Sequence, residues 1–363
     1  MTSRPDAVPH QDPHPDPHPD PHPAPPGAGP AVLTVVLNWR TAEMTLRAVE
    51  AALRAMEGIA GAISVVDNDS GDGSFERLSA ALAGQTGGQA GGGTPVRVLQ
   101  SGRNGGFGAG NNFGIRAGLP GGAAPDFVYI LNSDAFPAPD AIARLLAYLG
   151  AHPEAGLAGS YIHGPGGEDH TTCFRFPGVA SEFEGGARSG PITRLLAHRV
   201  VPLGVPAASG RVDWLAGASV MIRRAVLEKA GLFDEGFFLY FEETDLCHRA
   251  REAGWETHFV RDSRVEHIGS VSTGMKAWDR VPGYWFDSRW RYFVKRGGRR
   301  HALAATLARC AGGLILRARR LVQPRIGADP PHFLRDLLLH TIRQLRAPAA
   351  PAPAAAARPR SLP

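Results

Sequence analysis

The chain has 363 residues, enough for one large domain with appendages or for two domains. With 43% hydrophobic and 20% charged residues it is not disordered throughout, and its three scattered cysteines (Cys173, Cys247, Cys310) exclude a disulfide scaffold and a zinc-ligand spacing. The net charge of +5 is uneven: Arg296–Arg346 holds eleven arginines against Asp329 and Asp336, a local +9, so the remainder sums to −4. This disfavours a nucleic-acid-binding core and points to one basic face that would meet phosphate or anionic lipid.

Residues 1–30 are low in complexity. Asp12–Pro23 repeats the unit DPHP three times, and proline at every second position blocks helix and sheet ladders, so an extended solvated tail is expected. His14, His18 and His22 offer weak metal ligands at most. Residues 347–363, rich in Ala and Pro, read as a second tail. The start of the chain lacks the apolar stretch of a secretory signal. No run of about 18 apolar residues is free of charge, so no transmembrane helix is expected. The expected location is cytoplasmic, with peripheral attachment at the inner face of the cell membrane.

Between the tails, strands and helices alternate. Ala31–Leu37 reads as a buried parallel strand and Thr41–Met56 as a helix. Ala62–Val66 is a second strand, Gly84–Thr94 a surface loop and Val96–Leu99 a third strand. A helix is expected over Asn111–Gly118, a strand over Phe127–Leu131 and a helix over Asp140–Leu149. The pattern is an open α/β sheet with helices on both faces, whose ligands sit at the carboxyl ends of the strands. Those ends carry Asn38, Asp67-Asn68-Asp69, Arg103-Asn104 and Asn132-Ser133-Asp134. Residues 163–210 read as loop. A strand follows over Trp214–Arg223, then a helix over Thr244–Ala253 and a last strand pair around His258–Val260 and Val265.

Three elements can carry chemistry. An Asp after a strand often serves only as a helix cap or turn former. Two such residues, Asp67 and Asp134, at converging strand ends suit a ligand site. A hard cation bridging phosphates needs only one or two protein carboxylates, which fits Asp134, while Asp67 suits an acceptor for a base or ribose donor group. The stretch RNGGFGAGNNFG, Arg103–Gly114, is glycine-rich, yet matches neither standard phosphate-loop pattern. It reads as a tight turn or as backbone approaching a ligand ahead of a helix N-terminus. In Phe237–Trp255, Glu242, Glu243 and Asp245 crowd behind an aromatic run. Crowding and low polarity raise a carboxylate toward the range of a general base, although acids also favour a helix N-terminus for its dipole.

Seven motifs occur in order: VVLNWR (Val35–Arg40), VVDNDSGDGS (Val65–Ser74), RNGGFGAGNN (Arg103–Asn112), LNSDAFP (Leu131–Pro137), WLAGASVMIRR (Trp214–Arg224), GLFDEGFFLYFEETDLCHRAREAGW (Gly231–Trp255) and VEHIGSVS (Val265–Ser272). Together they resemble the family 2 glycosyltransferases of the GT-A fold, in particular the rhamnosyltransferase-like branch, over roughly residues 31–300. The resemblance implies a GT-A domain over 31–300: a Rossmann-like, mostly parallel sheet flanked by helices. A basic amphipathic helical extension would follow over 301–346.

The resemblance also implies roles. Asp67, with Asn38, Asn68 and Asp69 about it, would read the nucleotide base. Arg103, Asn104 and the loop to Asn112 would lie along the nucleotide. Asn132-Ser133-Asp134 stands where the family has an Asp-x-Asp element, its first Asp replaced by Asn. Asp134 would then hold Mg²⁺ or Mn²⁺ on the diphosphate, with His267 completing the coordination. Glu242 and Glu243 match the family's Glu-Asp pair, Glu243 falling where Asp is usual. Glu243 is therefore the expected base and Asp245 the second choice. Trp214, Gly217 and Ala218 would line the sugar pocket. Asp287-Ser288-Arg289-Trp290, within an aromatic and basic stretch, resembles the Gln-x-x-Arg-Trp element of processive synthases and is expected to form an acceptor or diphosphate wall.

The implied function is metal-dependent, inverting transfer of a sugar, rhamnose among the candidates, from a nucleotide-diphosphate donor to a glycan or polyprenyl-linked acceptor in cell-envelope or polysaccharide synthesis. An anionic membrane surface meeting residues 301–346 is a further expected partner; nucleic acid is not. The alternatives are a non-catalytic nucleotide-sugar-binding protein and a sugar-nucleotidyltransferase. The latter would carry a glycine-rich basic loop where this chain has NWRTAEM.

Overall fold

The computed structural model describes residues 29–85, 93–269, 278–323, 327 and 329–348. The DPHP repeat with its histidines, most of the loop at 84–94, the end of the VEHIGSVS motif and the tail beyond 348 lie outside the described residues.

Strand β1 (Val32–Asn38) is buried along both faces, as a central parallel strand must be. Helix α1 (Ala42–Ala55) turns Thr45, Ala48, Val49 and Ala52 to the sheet at helical spacing. The alternation continues with β2 (Gly61–Asp67), α2 (Ser74–Leu82), β3 (Val96–Gln100), α3 (Gly106–Arg116) and β4 (Phe127–Asn132). Short β5 (Ala135–Pro137) precedes α4 (Ala141–Ala151) and β6 (Ala155–His163). Then come β7 (Cys173–Phe174), α5 (Val179–Ala187), α6 (Gly190–Leu195), β8 (Gly210–Val212), β9 (Trp214–Leu215), β10 (Ser219–Arg223) and α7 (Arg224–Ala230). Helix α8 (Glu242–Glu252), strand β11 (Glu256–His267) and helices α9 (Gly283–Val322) and α10 (Phe333–Arg346) complete the order.

Among the described residues the main sheet runs β3-β2-β1-β4-β10-β6-β11-β5, with β8 also on β11. Strands β1 to β4 are parallel, β10 is inserted antiparallel between β4 and β6, and β11 is parallel to β6. The carboxyl ends of β1, β2, β4, β6 and β11 therefore share one edge. Alternate residues feed two cores. Val32 and Val36 face α1 and α4, while Leu33 and Val35 face the layer of α3, α7 and α8. This is the expected mostly parallel α/β sheet with flanking helices and a C-terminal helical extension.

Several boundaries differ from expectation. Helix α3 begins at Gly106, five residues before the expected Asn111. Gly106, Gly108 and Gly110 read as loop, but Gly110, with Gly114, lets the helix press against Leu37 and Val35 of β1. The stretch 163–210 holds two helices, α5 and α6. A Cβ at Gly312 would lie 2.3 Å from the Phe183 carbonyl of α5, so glycine is needed where α5 and α9 touch. Trp214–Arg223 is two strands: β9 pairs with β7, and β10 joins the main sheet. The last strand pair is one strand, β11, irregular between Val260 and Arg264.

Helix α9 runs across the expected boundary at 300, with a break at Gly297–Gly298, where Gly298 has φ +74°. The expected wall at 287–290 is also corrected. Arg289 is 1% exposed and donates to Glu182 at 2.9 Å and Thr306 at 3.2 Å. It ties α5 to α9 and does not line the cavity described next. No helix among the described residues is long and apolar enough to cross a membrane.

Candidate active site

At the carboxyl edge of the sheet lies a cavity of about 680 Å³, the size range of a small-ligand site. It is lined by Asn68, Asn104, Asn132, Ser133, Asp134, Trp214, Gly217, Ala218, Glu242, Glu243 and His267. With Leu37 and Trp39, which also line it, residues from all seven motifs meet in one space, although they span more than 200 positions of sequence.

The floor is set by β4 and β11. Beyond Asn132 the chain enters β5, which pairs with the end of β11 so that Ala135 lies opposite His267. The Ile268 N–H donates to the Asp134 carbonyl at 3.1 Å. This register brings Asp134 Oδ1 to 3.0 Å from His267 Nε2, with Asn132 Nδ2 at 3.5 Å from the same nitrogen. Asp134 is 5% exposed. One carboxylate and one imidazole on a common point fit a divalent cation of the Mg²⁺ or Mn²⁺ class, with ligand oxygens and water completing the shell. A second converging group, Glu154, Glu256 and His258, has ligand atoms within 4.8 Å of one another. It sits at the opposite edge of the sheet, where β6 and β11 start. His258 there is already bonded to Tyr148 and Glu256, each at 2.9 Å.

The acidic wall comes from the start of α8. Tyr240 and Phe241 both have left-handed backbone, φ +69° and +70°, a costly arrangement for two bulky residues. It turns the chain so that Glu242 and Glu243 open the helix at the cavity. Burial, then the charge of Glu243, pushes the Glu242 carboxyl well above the ordinary glutamate range. Burial also raises Glu243, against backbone N–H donors at Gly217 and at its own amide. Glu242 Oε2 and Glu243 Oε2 are buried with no hydrogen-bond partner. Two unsatisfied carboxylate oxygens side by side favour proton uptake.

The glycine-rich stretch closes the third side. Gly106 has φ +86°, and a Cβ there would lie 1.8 Å from the Phe238 carbonyl oxygen. The Phe107 N–H donates to that oxygen at 3.0 Å. Asn68 Nδ2 donates to Asn104 Oδ1 and to the Gly106 carbonyl, at 3.1 and 3.2 Å. Opposite, Trp214 stacks on Phe174 with ring centres 4.2 Å apart, and its Nε1 donates to the Arg175 carbonyl.

Other expected site residues lie behind this lining. Asp67 is 1% exposed and accepts from Asn38 Nδ2 at 2.7 Å and from the Ser70 hydroxyl and N–H. Asn38 also accepts from the hydroxyls of Thr41 and Thr45. Asp69 is exposed, with left-handed backbone. Arg103 pairs with Glu235 outside the cavity. Asn112 holds Phe233 by its backbone, donating to the carbonyl at 2.8 Å and accepting from the N–H at 3.0 Å. Asp245 is fully buried among Arg249, Lys295 and Arg296, and turns away from the cavity.

Lining residues not singled out in the sequence include Asp169, His170, Thr172, Phe174 and Tyr240. His170 lies with its ring centre 6.2 Å from that of His267. Most sit in a stretch without strand or helix periodicity; backbone contacts with the end of β6 bring Asp169 and His170 to the cavity, and the pairing of β7 with β9 brings Phe174.

Residues 30–285 match the family described as glycosyltransferase like family 2. The N-acetylglucosaminyl-diphospho-decaprenol L-rhamnosyltransferase of Mycobacterium tuberculosis is 31% identical over 194 residues, 49% of this chain and 61% of that protein. The chain thus matches less than two thirds of that relative's length. Rhamnosyltransferase WbbL of Escherichia coli K12 is 41% identical over 49 residues, 14% of this chain and 19% of that one. Among solved structures, a mannosyltransferase of Pyrobaculum calidifontis in complex with GDP-Man and Mn²⁺ superposes with a TM-score of 0.49 at 18% identity, covering 89% of this chain and 84% of that one. The family match spans most of the chain and every motif that builds the cavity, and the protein belongs to glycosyltransferase family 2.

Proposed function

We propose that the protein transfers a sugar from a nucleotide-diphosphate donor to an acceptor hydroxyl with inversion at the anomeric carbon. The observation that carries this reading is the shared cavity, in which the Asp134–His267 pair and the buried, unpartnered Glu243 oxygen face one space.

Asn68, Asn104 and the backbone at Gly106 would receive the nucleotide, with Asp67 and Asn38 holding that wall from behind. Arg103 and Asn112 support the same loop through Glu235 and Phe233. Asp134 and His267 would hold Mg²⁺ or Mn²⁺, which when bound offsets negative charge on a diphosphate. Trp214, Gly217 and Ala218 would flank the sugar. Glu243 would take the proton of the acceptor hydroxyl as its oxygen bonds to the anomeric carbon. The bond from that carbon to the diphosphate oxygen breaks on the opposite face, and the nucleoside diphosphate leaves. A single displacement inverts the centre and requires no nucleophilic side chain.

A rhamnosyl donor and a polyprenyl-diphosphate-linked acceptor follow the name of the M. tuberculosis relative and are part of the proposal.

The test is a panel of dTDP-, UDP- and GDP-sugars, read by thermal stabilisation and by nucleoside diphosphate release, with Mn²⁺, Mg²⁺ or chelator. Metal-dependent stabilisation by one donor class, followed by release, is expected. Stabilisation without any turnover would favour a binding protein, and no stabilisation by any donor would remove the proposal.

A further inference from the structure

Past its glycine break, α9 carries Leu307, Leu314 and Leu321, which are 55%, 61% and 87% exposed. Their seven-residue spacing places them on one line along the helix. Helix α10 adds Leu338, Ile342 and Leu345, each about two-fifths exposed. The two helices lie antiparallel: Gly313 meets Leu334, Thr306 meets Thr341, and Arg299 donates to the Gln344 carbonyl. Each grips the body by its other side. Gly312 of α9 packs on α5, whereas Asp336 and His340 of α10 bind Arg280 and Asp287. Both leucine rows therefore face outward on the same side, and monomers in water rarely leave so long an apolar row uncovered.

The charge around these rows selects the occupant. Arg300, Arg317 and Arg320 on α9 and Arg335, Arg343 and Arg346 on α10 are exposed. The two acids of this region are already paired. Asp329 binds Arg188 and Arg309, and Asp336 binds Arg280 and Arg335. A twofold dimer through this face would set arginine against arginine with no carboxylate to receive it. An anionic lipid surface supplies both an apolar layer for the leucines and phosphates for the arginines.

We propose that α9 and α10 lie in the headgroup plane of an anionic bilayer, with the leucine rows entering the acyl boundary and the arginines at lipid phosphates. None of these side chains lines the cavity, so attachment and sugar transfer stand or fall separately.

The full chain is sedimented with phosphatidylcholine vesicles and with vesicles of about 30% phosphatidylglycerol. Salt is set at about 0.1 M and 1 M, which shortens the screening length from about 10 Å to 3 Å. Anionic vesicles should bind at least about tenfold more tightly than neutral ones, and high salt should abolish most of the difference. A Leu307→Gln, Leu314→Gln, Leu321→Gln triple variant and an Arg317→Glu, Arg320→Glu, Arg343→Glu triple variant should each weaken binding about tenfold or more, with unchanged melting by circular dichroism. Equal binding to both vesicle types, binding to neither, or parent-like binding by both variants would overturn the proposal. So would a lipid-free dimer in analytical ultracentrifugation that the leucine variant dissolves, which would make a second copy the occupant.

Discussion

Asp134 and His267 are 133 positions apart in sequence, yet Oδ1 of one lies 3.0 Å from Nε2 of the other. Backbone pairing places them there: β5 runs antiparallel to the end of β11, and the Ile268 N–H donates to the Asp134 carbonyl. The pair is thus held by strand register and not by loop conformation.

Asp134→Ala should leave the register intact, since β5 pairs through its backbone. Stability is expected to fall by about 1 kcal/mol through loss of the hydrogen bond to His267. Transfer should fall about a hundredfold or more, and Mn²⁺ should no longer raise the melting temperature in the presence of donor. Unaltered Mn²⁺ dependence in this variant would separate Asp134 from the cation.

Asp245→Asn tests a different role. This carboxylate is fully buried and faces Arg249, Lys295 and Arg296, so its loss takes the paired carboxylate from Arg249 and one of two from Lys295 and Arg296, which keep Asp234 and Glu252. Destabilisation of about 3 kcal/mol is expected from chemical denaturation. Turnover of the protein that remains folded should stay within a few-fold of the parent. Normal stability with lost turnover would move Asp245 into the chemistry.

Glu242 gives a pH signature. Its carboxyl is raised, first by burial and then by the charge of Glu243, so the folded state holds the proton more tightly than the unfolded chain. Its contribution to stability is present below the ordinary glutamate range and is lost as pH rises through that range toward the raised value. Glu242→Gln removes that loss. Denaturation at a series of pH values should show the variant and parent alike in acid, with the variant increasingly the more stable toward neutral pH. A constant difference would show that Glu242 does not titrate in this way.

Gly106→Ala should be destabilising by about 2 kcal/mol, because it forces a Cβ onto the Phe238 carbonyl in left-handed backbone. The same change should weaken donor binding measured by calorimetry. A stable variant with normal affinity would show that the contact between α3 and the segment before α8 is dispensable.

The sheet was legible because β1, β2 and β4 are continuous apolar runs ending in polar residues, and their ends needed only to be level. Asn38 pairs with Asp67 in register, and Leu37 with Asn132. Where glycine has two uses, the reading failed: the residues of Gly106–Gly110 and Gly185-Gly186 look like loop but serve close helix packing. Asp67 and Asp245 were legible as polar exceptions in apolar surroundings. The direction of each side chain was not, because it depends on partners as distant as Asn38 and Lys295. Phe174 reaches the cavity through the pairing of β7 with β9, a two-residue contact, and His170 through one backbone hydrogen bond to Ile162 at the end of β6, neither with a local sequence pattern.

The most direct measurement is single-turnover transfer by Glu243→Gln, with donor affinity measured on the same protein. The exchange is nearly isosteric and removes a proton acceptor from the cavity. Transfer slower by about a hundredfold or more, at parent-like donor affinity, is the expected result. Transfer at the parent rate would contradict the assignment of Glu243 as the base.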